Sequence, residues 1–137
     1  MGGTADQTAE AAALATRLGI TRGMTVQEVG YDTDTDDLVV EAVEAASGQH
    51  MVDEDYDGVV DAVILWWRAD DGDLGDAVVD AMVPLADAGV IWLLTPKHGR
   101  PGALEPADIP DAASTSGMRR TTSVTLSNWQ AVRLVPR

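Results

Sequence analysis

Cysteine and phenylalanine are absent from this chain, and histidine occurs twice, at His50 and His98. Without cysteine there is no disulfide, no thiolate nucleophile and no thiolate zinc site. Two separated histidines would need distant carboxylates to hold zinc, so no metal is expected. Without phenylalanine, core bulk falls to Trp, Leu, Val, Ile and Met. Basic residues are scarce: 9 Lys and Arg stand against 23 Asp and Glu, giving a formal charge of -14. That balance argues against nucleic acid, whose phosphates call for clustered Lys and Arg. It also argues against anionic membrane surfaces. It suits a basic protein partner, a cation, or plain solvation of the surface. Long apolar runs are missing as well, since 62–67 and 90–94 are too short to span a bilayer. The start, Met1 to Asp6, has neither the basic region nor the apolar run of a secretory signal. The expectation is a cytoplasmic protein. No Walker A loop, Gly-x-Gly-x-x-Gly or Gly-x-Ser-x-Gly elbow occurs. No catalytic residue is assigned, and the reading leans away from an enzyme.

What is present points to an α/β fold. With 137 residues and 45% hydrophobic content, the chain suits one domain with a single core. That domain is placed at 6–137, with a loose end over 1–5. The strongest pattern runs from Asp61 to Pro96. Asp61 to Trp67 reads as a buried strand and Asp73 to about Leu85 as a helix. A turn at Ala88-Gly89 leads into a second strand, Val90 to Pro96. Two strands around one helix make a crossover with parallel strands. Upstream, Ala-rich Asp6 to Leu18 is a helix ended by Gly19, and Met24 to Val29 is a first strand. A helix capped by Thr35 or Asp36 runs to Ala46, with Val39, Ala42, Val43 and Ala46 on one face. His50-Met51-Val52 is a short strand. Downstream, Ala107 to Ser116 is helical despite Pro110. Thr121 to Leu126 and Ala131 to Val135 form an antiparallel hairpin around a turn at 127–130. The fold class is therefore Rossmann-like: a mainly parallel sheet with a C-terminal antiparallel hairpin.

Charge is unevenly spread. Between Glu28 and Asp87 the sole Lys or Arg is Arg68, whereas beyond Lys97 basic residues outnumber acidic ones. In an open parallel sheet, ligands sit outside the carboxyl ends of the strands. Three loops should meet there, Gly30 to Asp36, Arg68 to Gly72 and Pro96 to Gly102. They carry the candidate binding residues Arg68, Asp70, Asp71, Lys97, His98 and Arg100. Lys97, His98 and Arg100 would clamp an anion, or the cations would pair with nearby aspartates. Asp32-Thr33-Asp34-Thr35-Asp36-Asp37 has the spacing of an EF-hand opening but lacks its glycine and its closing glutamate. Asp32, Asp34 and Asp36 are expected to serve the following helix N-terminus. Trp66 and Trp67 point to opposite faces, and the tryptophans are read mainly as core.

These residues carry a resemblance. Leu18-Gly19-Ile20, Val26-Gln27-Glu28, Val52-Asp53-Glu54-Asp55, Leu65-Trp66-Trp67-Arg68 and Asp70-Asp71-Gly72-Asp73-Leu74 open it. Ile91-Trp92-Leu93-Leu94-Thr95-Pro96-Lys97, Gly99-Arg100-Pro101-Gly102, Trp129 and Arg133-Leu134-Val135 complete it. The pattern resembles, over nearly the whole chain, a small actinobacterial family catalogued as a domain of unknown function. More distantly, the order of elements is similar to class I S-adenosylmethionine-dependent methyltransferases. The departure is the loop after Val29, which offers Gly30 and then bulky or acidic residues where methyltransferases keep close-approach glycines. No cofactor is therefore expected. The leading expectation is a non-catalytic binding or regulatory module on a degenerate methyltransferase-like fold, with a protein partner or self-association. The alternative is an enzyme or sensor that takes a small anionic or nucleotide-like ligand at the carboxyl edge of the sheet.

Overall fold

Unbroken apolar runs along two central strands, buried on both faces, build a three-layer molecule. The computed structural model describes the backbone from Gly2 to Arg137 and side chains from Ala9 onward. In chain order the elements are α1 (Gly2–Leu18), β1 (Val26–Val29), α2 (Asp37–Ser47), β2 (Val60–Trp66), α3 (Leu74–Met82), β3 (Leu85–Pro96), α4 (Asp108–Ser116), β4 (Met118–Thr125) and β5 (Trp129–Pro136). The sheet order is β1-β2-β3-β5-β4. β1, β2 and β3 run parallel, whereas β5 is antiparallel to both β3 and β4. The terminal hairpin thus inserts its last strand beside β3 and leaves β4 at the edge.

Successive side chains of a strand face opposite ways. Ile64, Trp66, Trp92 and Leu94 pack with Leu14, Leu18, Val39 and Val43 beneath α1 and α2. Val63, Leu65, Ile91 and Leu93 pack with Leu74, Val78, Ala112, Ala113 and Met118 beneath α3 and α4. Burial on both faces explains why these strands read as continuous apolar runs. The Trp92 indole Nε1–H donates to the Leu18 carbonyl at 2.9 Å. It satisfies an acceptor at the end of α1 that has no partner within the helix.

Several boundaries differ from the sequence reading. α3 ends at Met82 and not near Leu85. Pro84 has no N–H to donate to the Asp80 carbonyl, so the helical hydrogen-bond ladder cannot continue past Val83. The expected turn at Ala88-Gly89 lies inside β3, where the register jumps from Val60↔Leu85 to Ala62↔Val90. β5 begins at Trp129, within the segment read as a turn. The short strand at His50–Val52 reduces to a single parallel bridge between Gln27 and Val52. α1 is already helical at Gly2, ahead of the Asp6 start. The loose end expected over 1–5 includes Met1, which lies outside the described residues. Pro110 sits in the first turn of α4, where a missing N–H costs nothing.

One connection shapes the surface. The chain passes from Val52, on the outer side of β1, to Val60, the start of β2, through residues 53–59 alone. A helical crossover needs about a dozen residues or more, so among the described residues no helix covers β1 on the α3 side.

Candidate functional site

The three loops expected at the carboxyl edge do converge. Arg68, just past β2, is at their centre. Its Nε and Nη2 donate to Asp34 Oδ2 and Oδ1 at 3.1 and 2.5 Å, a two-point pair. Its Nη1 donates to the Gly30 carbonyl at 2.9 Å and to Asp71 Oδ2 at 3.2 Å. The guanidinium carbon lies 5.2 Å from the centre of the Trp129 ring, within cation–π range. Trp129 in turn meets Trp66 edge-on at 4.8 Å and donates its Nε1–H to the Asp34 carbonyl at 3.1 Å. The third loop closes over the top, with the Ala69 N–H donating to the Gly102 carbonyl at 2.9 Å. Arg68 is left with 14% of its side chain exposed.

The electrostatics follow. The hydrogen bonds from Arg68 hold the Asp34 carboxyl below its ordinary value. Asp34, then Asp71, push the Arg68 guanidinium up, against the opposing effect of its burial. Both therefore stay charged across the neutral range.

The first loop is occupied in the same way. The Gly30 N–H donates to Glu54 Oε2 at 3.1 Å, and its carbonyl is taken by Arg68. Gly30 has φ +83°, and a Cβ there would run into the Trp66 carbonyl oxygen, so this position needs glycine. Asp36 caps α2 by accepting from the Leu38 N–H at 2.9 Å. Glu28, beneath this loop, accepts from Trp66 Nε1 at 2.9 Å. Burial pushes its carboxyl up, the Trp66 hydrogen bond opposes this, and Glu44 and Glu54 add to the upward push.

The sequence-derived residues divide accordingly. Arg68 and Asp71 are joined as expected. Asp70 takes no part in neutralising Arg68, a role that falls to Asp34. Asp34 accordingly is not a helix cap; its carboxylate turns from α2 to the cation. Asp32 accepts from Thr33 and Thr35, its immediate neighbours. His98 and Arg100 are exposed on the loop after β3. Lys97 and His98 line a hollow of about 300 Å³ with Glu105, Arg120 and Gln130, and Arg100 is not part of it. Arg100 thus stands apart from the hollow that Lys97 and His98 share. Among the described residues, no group of three or more His, Asp or Glu side chains is placed to hold a metal ion. No helix among them is long and apolar enough to cross a membrane.

A larger hollow lies elsewhere, beside β1 on the α3 face, with a volume of about 750 Å³. Its floor is Gln27, Val29, Leu65 and Trp67. One wall is α3, through Asp76, Ala77, Asp80 and Ala81, and the other is the 54–59 segment. Buried Gln27 anchors that segment, donating through Nε2 to the Asp53 carbonyl at 3.1 Å. Sequence reasoning missed this groove. Its signal was the shortness of the link between Val52 and the β2 strand.

With fold and edge defined, the class is clear: this is the fold of class I methyltransferases. The chain superimposes on magnesium protoporphyrin IX methyltransferase from Synechocystis PCC 6803, solved with bound SAM, with a TM-score of 0.63 at 12% identity. That match covers 96% of this chain and 80% of the other. The glycopeptide N-methyltransferase MtfA gives 0.63 at 14% identity, covering 96% and 90%. A TehB-like SAM-dependent methyltransferase from Corynebacterium glutamicum gives 0.56 at 11% identity, covering 93% and 88%. The chain itself belongs to the family described as "Protein of unknown function (DUF3052)", whose model matches residues 15–137. Uncharacterized protein Rv2239c of Mycobacterium tuberculosis is 54% identical over 121 residues, 88% of this chain and 77% of the relative. A Mycobacterium bovis relative, uncharacterized protein Mb2263c, matches equally.

Proposed function

We propose that this protein is a non-catalytic binding module that keeps the methyltransferase fold while its carboxyl edge is closed by its own side chains. The observation that carries the reading is the double occupation of Gly30. Its N–H is bonded to Glu54 and its carbonyl to Arg68. A ligand at this edge would have to displace both, along with the Asp34–Arg68 pair. The N-terminus of α2, otherwise suited to an anion, is capped by Asp36 and flanked by Asp37. An anionic or nucleotide-like ligand would meet carboxylates there.

The experiment is calorimetric titration with S-adenosylmethionine and, as a nucleotide-like anion, ATP. Neither should give saturable heat up to millimolar concentration. Micromolar binding of S-adenosylmethionine overturns the reading. ATP binding lost in a Lys97→Ala/Arg120→Ala variant instead supports an anion sensor at the small hollow, where two cations face one carboxylate, Glu105.

A further inference from the structure

We propose that the groove beside β1 is a docking site for a segment of a partner protein that carries apolar side chains flanked by Lys or Arg. This rests on the binding-module reading and names the chemistry of the partner.

Three observations converge on it. The first is exposed apolar surface. Val83, Val59 and Tyr56 are 82%, 68% and 39% exposed, and all three line the groove. They continue the apolar floor of Val29, Leu65 and Trp67 out onto the rim. Apolar contact reaching from floor to rim suits a peptide segment more than a small enclosed molecule.

The second is charge. Glu54, Asp57, Asp73, Asp76 and Asp80 line the groove with no Lys or Arg among the lining residues. Asp76 and Asp80 sit one turn apart on α3, a repulsive spacing. A segment with flanking cations relieves that repulsion as its apolar side chains are buried, and the field speeds its approach.

The third is rigidity. Gln27 fixes the 53–56 turn, the Tyr56 N–H closes onto the Asp53 carbonyl at 3.2 Å, and the Tyr56 ring lies over Gly58, where a Cβ would collide with it. Less ordering is then needed on binding.

The test uses the full chain and two fluorescent 14-residue helical peptides (a length of roughly four turns), one of Leu and Lys and one of Leu and Glu. Anisotropy should show the Leu/Lys peptide binding at least tenfold more tightly at physiological salt. Asp76→Asn/Asp80→Asn and, separately, Val59→Ser/Val83→Ser should each weaken it tenfold or more. Asp37→Asn/Glu41→Gln on α2, which removes the same charge from the opposite face, should change it less than twofold. In methyl NMR spectra the Val59 and Val83 signals should shift on titration. Equal weakening by both charge-removing variants would mean nonspecific attraction and overturns the proposal. So does a Leu/Lys peptide that leaves the Val59 and Val83 signals unmoved, or concentration-dependent self-association abolished by Val83→Ser, which would make the occupant a second copy. Failure here with no S-adenosylmethionine or ATP binding removes the groove as the site and leaves the closed edge standing.

Discussion

Trp92 offers the sharpest test of how the layers are joined. It is fully buried at the centre of β3, and its indole N–H closes onto the last carbonyl of α1. Trp92→Ala removes a large buried ring and leaves a cavity between two layers, a change that costs about 3–5 kcal/mol. Trp92→Phe keeps most of the ring but orphans the Leu18 carbonyl. Losing one hydrogen bond, about 1 kcal/mol, together with some ring volume gives roughly 2 kcal/mol. The ordering Ala well above Phe, and Phe well above wild type, is the specific expectation. Urea unfolding followed by far-UV circular dichroism measures it, since tryptophan fluorescence changes with the mutation itself. An unchanged denaturant slope would confirm that stability alone has moved. A loss below about 1 kcal/mol for Trp92→Ala would refute the placement of this ring between α1 and the sheet. A Phe variant equal to wild type would show that the Leu18 carbonyl gains nothing from the indole.

Glu28→Gln tests the buried carboxyl under the edge. Because its folded-state value lies above the ordinary 4.5, its contribution is fully present below pH 4.5 and is lost as pH rises through the raised value. The variant, which keeps an acceptor for Trp66, should therefore be at least as stable as wild type at pH 7, and its advantage should vanish in thermal melts at pH 4.5; an advantage that grows on acidification would refute the sign. Asp34 behaves oppositely: its lowered value adds stability above the ordinary 3.8 that disappears as pH falls through the folded value, so Asp34→Asn should flatten the acid limb of the same melts. Gly30→Ala should cost on the order of 2–3 kcal/mol, because positive φ and collision with Trp66 add, whereas Gly99→Ala, at similar φ but in open space, should cost about 1 kcal/mol. Equal losses in denaturant titrations would show that the Trp66 carbonyl yields. Lys97→Ala/Arg100→Ala should shift stability by less than about 1 kcal/mol, since neither cation has a carboxylate partner among the described residues.

The parallel core was legible because its strands are buried on both faces and so read as unbroken apolar runs. The hairpin was legible from alternation, and the N-terminal cap of α2 from Asp36. The sequence overextended α3 because Ala81, Met82 and Leu85 continue its apolar stripe. Pro84 was the stronger signal, since backbone chemistry outranks side-chain pattern. The convergence of three loops followed from topology, and the Arg68–Asp71 contact from proximity. Asp34 was misassigned because an aspartate before a helix looks like a cap wherever it stands, and its true partner lies 34 residues away. Trp129 was invisible as a member of the edge, since its distance in sequence conceals a ring-to-cation contact. The groove left no mark in side-chain pattern and was readable only from the short link over residues 53–59, which holds no helix.

The closure of the edge also has a timetable. Its parts are Asp34, Arg68 with Asp71, and Trp129, and the bond from Trp129 to Asp34 spans 95 positions of the chain. As a chain is synthesised, Arg68 emerges with its aspartates but without the ring that covers it. Until β5 is in place beside β3, the guanidinium lacks the Trp129 ring against which it packs. A contact of such sequence separation carries the entropic cost of closing the long loop between its partners. The edge therefore cannot be sealed before β5 joins the sheet.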